Sequence, residues 1–196
     1  MEYDPNREVS PKPQPQPQPV AGFPVIDKVC MAIKNTDKRW YEASSRYGRY
    51  DGHPERAEDW NLESGGNTDL GEPLVAPFDG LVVNAAQYGG GLGRIVSIVG
   101  VTKAGILVTW QGRHLQTMAV KAGQVVKCGD PIGSIGNADG RYAGAHLHEQ
   151  IIVGETPGPT EDWRNARYNY VRPSEWYISM GVNRAMVDRL RKWDGK

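Results

Sequence analysis

Cysteine is almost missing from this chain: there are two in 196 residues, Cys30 and Cys128. A cysteine-built zinc site is therefore excluded, and any metal must be held by His, Asp or Glu. The sequence does not bring the two thiols within bridging distance, and two lone thiols is the expectation. No apolar run reaches the length of a transmembrane helix. Met1 to Ser10 mixes acidic, basic and polar residues, so it does not read as a secretory leader. Neither sign of charge is in excess: 23 Lys and Arg balance 23 Asp and Glu. The basic residues are dispersed, which leaves no electrostatic footprint for nucleic acid. Histidine is scarce as well, at four residues.

Glycine and proline are plentiful, at 24 and 14 residues, and suit short strands joined by many turns. Pro11 to Pro19 alternates proline with lysine or glutamine. Such a run has fixed φ and few backbone donors, and forms an extended polyproline II spacer. Residues 1–20 are therefore expected to be a flexible tether, and residues 21–196 the folded domain with a C-terminal helical extension. β-prone runs follow at Pro73–Pro77, Gly80–Val83, Arg94–Val99, Gly105–Trp110 and Met118–Val120, with glycine turns between them. Their close spacing predicts a mainly β, antiparallel domain. Thr156 to Arg172 reads as a proline-rich, aromatic loop, and Pro173–Ser174 as a helix start. Val182, Met186, Val187, Leu190 and Trp193 have the spacing of a C-terminal helix packed on the sheet.

Two of the four histidines stand in Ala145-His146-Leu147-His148-Glu149. The apolar run Ile151–Val153 beside them argues for a strand. In a strand, residues i and i+2 share a face, so His146 and His148 project together. Two imidazoles on one face suit one metal, or one metal ligand and one proton carrier; two exposed histidines on an edge strand is the plainer alternative. A second concentration runs from His53 to Asp59 and packs His53, Glu55, Glu58 and Asp59 into seven residues ahead of Trp60 and the turn-rich Ser64–Asn67.

Three stretches resemble the zinc-dependent peptidoglycan endopeptidases of the lysostaphin and LytM type, peptidase family M23. Ala145-His146-Leu147-His148 is similar to the family's His-x-His motif. His114-Leu115 followed by Val120-Lys121-Ala122-Gly123-Gln124 is similar to its second histidine segment. Asp69 to Val82 resembles the entry strand after the first metal motif. The similarity covers about residues 45 to 155. The resemblance implies a LytM/M23-type sheet with a groove, an extended Pro-rich N-terminal tail, and Zn2+ held by His53, Asp59 and His148. It also implies catalytic roles for His114 and His146, one moving the proton of water and the other stabilising the oxyanion. The family pattern His-x-x-x-Asp is broken here. Four residues before Asp59 stands Glu55, so three readings remain open: His53 reaches across a small insertion, Glu55 is an oxygen ligand, or His53-Pro54 matches a His-Pro pair found upstream of the motif in some members and the histidine ligand is lost. Asp69 is an alternative aspartate, with Gly65 four residues before it. Glu149-Gln150 replaces the usual aromatic and glutamate. The substrate implied is peptidoglycan peptide, cut outside the cytoplasm. The tether and the lack of a leader suggest a phage-associated enzyme, on the virion or released to the cell wall or periplasm, with a virion or tail partner bound through the tether. A catalytically inactive module on the same fold is the main alternative, and a metallohydrolase of small peptides a second.

Overall fold

The structure is a computed structural model that describes residues 22–43, 56–142, 144–156, 158 and 168–192. The proposed tether, and His53 and Glu55, lie outside the described residues.

The strands are β1 (Trp40–Glu42), β2 (Glu58–Leu62), β3 (Pro73–Val75), β4 (Gly80–Tyr88), β5 (Gly93–Val101), β6 (Leu107–Leu115), β7 (Thr117–Met118), β8 (Val125–Val126), β9 (Pro131–Ser134), β10 (Leu147–Val153) and β11 (Tyr170–Val171). Two short helices follow, α1 (Pro173–Ser179) and α2 (Arg184–Arg191). The main sheet runs β1-β2-β10-β6-β5-β4-β8, with β11 also paired to β10, and β3-β9-β7 form a smaller sheet. Every pairing between these strands is antiparallel. The mainly β, antiparallel architecture expected from the short runs is the one observed. No helix among the described residues is long and apolar enough to cross a membrane.

β10 lies between β2 and β6, and its alternation organises the molecule. Leu147 and Ile151 enter the core with Trp40, Trp60, Trp110 and Tyr177, while His148 and Gln150 face the other way. The expected C-terminal helix is seen as α2, which starts two residues after Val182 and is preceded by the separate α1, while Trp193 lies outside the described residues. Gly181, at φ +93°, breaks the chain between them, and the Asn183 side chain caps α2 by accepting from the Met186 N–H at 3.0 Å. Of the loop expected over 156–172, residues 157 and 159–167 lie outside the described residues, and Tyr170 and Val171 pair with Ile152 and Ile151 as a short strand.

Cys30 and Cys128 are free thiols, but they do not stand apart as two lone thiols would. Residues 22–36 run alongside the sheets, with isolated bridges from Val29 to Phe78 and from Ile33 to Leu74. This course brings Cys30 Sγ to 2.9 Å from Cys128 Sγ. The contact spans 98 residues of sequence, and local pattern carries no record of it.

Candidate active site

Asp59 and His148 meet because β2 and β10 pair antiparallel with these two residues directly opposite. Directly opposed residues share a face with their Cβ atoms ~5 Å apart. His148 Nδ1 lies 2.9 Å from Asp59 Oδ1, and His148 is buried. His146, one step before β10, bridges to Gly136 and falls on the same face.

His114 arrives by a different route. Between β5 and β6, Arg94 pairs with Leu115 and Val96 with Gly112, so Arg113 and His114 together oppose Ile95. This is a β-bulge, which bends a strand and re-aims its side chains. His114 has φ +66°, in the left-handed region. Its ring centroid lies 4.8 Å from that of His146 and 5.5 Å from that of His148. Gly136 allows the bulge its room: a Cβ there would stand 2.3 Å from the His114 carbonyl oxygen.

The hydrogen bonds fix which ring nitrogens are free. His114 Nδ1 is 3.1 Å from the Leu92 carbonyl oxygen, and His146 Nδ1 is 3.1 Å from that of Gly144. A carbonyl only accepts, so in both rings Nδ1 carries the hydrogen and Nε2 keeps its lone pair. Burial, then the neighbouring His148 and His146, push His114 down to about 2, which keeps it neutral at ordinary pH.

Three further residues stand around the histidines; Tyr142 and Gln111 carry no family motif in the sequence, and Gln150 holds a position where the chain departs from the family pattern. The Tyr142 ring lies 4.6 Å from His114 and 5.2 Å from His146, while being 38 % exposed. It stands in the loop before β10, and nothing in the sequence signals its position. Gln150 Nε2 is 3.1 Å from His148 Nε2, and Gln150 Oε1 is buried with no hydrogen-bond partner among the described residues. The period of two that pairs His146 with His148 extends to Gln150 and marks it as a neighbour. Gln111 faces Gln150 across β6 and donates to Ser97 Oγ at 3.1 Å.

The alternative aspartate, Asp69, is also buried. Its Oδ2 accepts from the Leu62 N–H at 3.4 Å, and its Oδ1 has no partner among the described residues. Burial raises it to about 6, against the pull of nearby groups that include His146.

Asp59 and His148 are donors of the types a zinc site uses. Among the described residues no three His, Cys, Asp or Glu side chains form a metal-binding group. The two donors fit zinc in their chemistry and share one face of the sheet, and a third has to come from beyond them.

Residues 66–158 match peptidase family M23. That stretch holds His114, His146 and His148 and begins after Asp59. An uncharacterized metalloprotease of Haemophilus influenzae is 41 % identical over 83 residues, which are 42 % of this chain and 16 % of the relative. The antimicrobial peptidase lysostaphin from Staphylococcus simulans superposes with a TM-score of 0.53 at 21 % identity, over 80 % of this chain and 56 % of that one. A structure of the lysostaphin catalytic domain gives a TM-score of 0.47 at 24 % identity, over 63 % of this chain and 78 % of that chain. Residues 66–158 are thus similar to M23 peptidases and the fold to that of lysostaphin, while the chain spans a small part of the curated relative and about half of the lysostaphin chain.

Proposed function

We propose that this protein is a zinc-dependent endopeptidase that hydrolyses peptide bonds of bacterial peptidoglycan. The observation that carries the reading is the convergence of His114, His146 and His148 with Asp59 on one face of the sheet. Asp59 and His148 are assigned to the metal, with His53 or Glu55 as the third ligand. A bound zinc supplies Lewis acidity and lowers the pKa of water from about 15.7 to about 7. His114 and His146 are assigned the proton work. Each ring is anchored through Nδ1 and presents Nε2; one is assigned to take the proton of water and pass it to the leaving amine, and the other to stabilise the oxyanion. Such help is worth about 10²–10⁴ in rate. Residues 1–20 are proposed as a tether to a virion or tail partner, with residues 21–196 as the domain, and the enzyme as phage-associated and acting at the cell wall or in the periplasm.

A second reading has its own observation. Asp59 and His148 already satisfy one another by a hydrogen bond, and no three-ligand group is assembled among the described residues. A catalytically inactive module, binding wall peptides or building a phage tail, needs nothing more.

Metal content and release of soluble peptides from purified peptidoglycan separate the two. The enzyme is expected to hold about one zinc per chain. His148→Ala should abolish both zinc and activity, and a chelator should stop peptide release until zinc is restored. Loss of zinc in His53→Ala assigns the third ligand to His53, and its retention points to Glu55. A wild-type chain that takes up no zinc when supplied with it sinks the enzyme reading.

A further inference from the structure

Cys30 and Cys128 serve no part of the proposed chemistry, yet the fold brings their sulfurs to 2.9 Å. That is less than 1 Å beyond the ~2.05 Å of a disulfide bond. Backbone contacts hold both residues against one segment. The Cys30 N–H donates to the Pro77 carbonyl at 2.9 Å. The Cys128 N–H donates to Asp79 Oδ1 at 2.8 Å, and the Gly129 N–H to the Ala76 carbonyl at 2.9 Å. The sulfurs therefore meet across a scaffold fixed independently of them. Both residues are partly exposed, and Cys30 lines a groove of about 580 Å³ with Val29, Gly129, Val182 and Met186. A small oxidant has access to the pair.

We propose that Cys30 and Cys128 are the site of a reversible disulfide, made by exchange with a low-molecular-weight disulfide such as oxidised glutathione. The two thiols share one hydrogen bond, so either sulfur can lead. One protein thiolate attacks one sulfur of the oxidant, and one thiolate leaves with its electron pair. The other protein thiol then gives up its proton, its sulfur attacks the protein sulfur of the mixed disulfide, and the second small thiol is released. Two protein thiols are oxidised to one disulfide while one small disulfide is reduced to two thiols. The new bond ties the segment ahead of β1 to the turn between β8 and β9, and closes a loop of about 100 residues. A loop of that length restricts the unfolded chain strongly.

The test uses the full chain, first reduced and then incubated with oxidised glutathione. The expected product is a monomer about 2 Da lighter by intact mass, the two hydrogens lost. A non-reducing peptide map should join the Cys30 and Cys128 peptides. The unfolding midpoint should rise by about 5–15 °C, return with dithiothreitol, and stay unchanged in Cys30→Ser and Cys128→Ser. A chain that keeps both thiols free, that stops at a glutathione adduct, or that cross-links only between molecules overturns the proposal.

Discussion

His114 reaches the site through a backbone conformation that residues with a Cβ seldom adopt. Its φ of +66° costs roughly 1–2 kcal/mol, and the surrounding glycines hold it there. Gly93 is one, since an added Cβ would come within 3.2 Å of the His114 Cα. Gly136 is the tighter, because its added Cβ would stand 2.3 Å from the His114 carbonyl oxygen and 2.4 Å from the Gln116 nitrogen, backbone atoms with no rotamer to yield. Gly136→Ala is expected to destabilise the fold by about 2–4 kcal/mol. Gly89→Ala, with nothing within 4 Å of the added Cβ, should stay within about 0.5 kcal/mol. Urea unfolding of the two variants checks the contrast. Gln150 acts on the opposite nitrogen of His148. The two ends of an amide are nearly isosteric, and turning this one over gives the orphaned Oε1 the His148 Nε2–H to accept. His148 Nδ1 then keeps a lone pair for a metal. Gln150→Leu is expected to weaken zinc binding about 10–100-fold without unfolding the chain, measured by competition with a coloured chelator. Unchanged affinity would remove Gln150 from the metal's support.

Among the elements, α1 is fastened to the sheet by two buried carboxylates that the sequence presents as ordinary charges. Glu149 points into the core and accepts from Trp60 Nε1 at 2.8 Å, Trp110 Nε1 at 2.6 Å and the Tyr177 hydroxyl. Burial raises its pKa and the three donors pull it back. Glu58, next to Asp59 but on the other face, accepts from the Ser174 N–H at 2.8 Å and its hydroxyl at 2.6 Å. Ser174 lies in the first turn of α1, whose N-cap residue Arg172 offers no side-chain cap, so β2 caps the helix. Burial, with smaller contributions from Glu42 and Glu149, lifts Glu58 to about 8 against those two hydrogen bonds. A folded-state pKa above the unfolded one means that the native state holds the proton more tightly. The stability is then fully present below pH ~4.5 and is lost as pH rises through about 8. Unfolding free energy measured across that interval should decline in the wild type and decline less in Glu58→Gln. Equal slopes would assign the pH dependence to other groups.

For the molecule as a whole, the legible part of the sequence was the part written at short range. His146 and His148 share a face by a period of two, and the glycine-punctuated runs became strands in an antiparallel sheet. The aim of His114 was not legible, because it depends on a bulge opposite Ile95, two strands from β10. Glu149 gave no sign that three aromatic donors would hold it inside the core, and no local pattern joins Cys30 to Cys128. In each case the deciding partner lies tens of residues away, where periodicity carries no signal. β10 shows what long-range assembly imposes on one strand. Leu147, Glu149 and Ile151 belong to the interior, while His148 and Gln150 belong to the site. A slip of one residue would exchange the two sets. Zinc release followed with a fluorescent chelator during heating should therefore coincide with loss of the near-ultraviolet tryptophan signal. Release well below that temperature would show a separable local opening. The same alternation narrows where inheritance has latitude. Neighbouring positions on β10 answer to incompatible demands, so the strand has little room for exchange and latitude falls to the connecting loops.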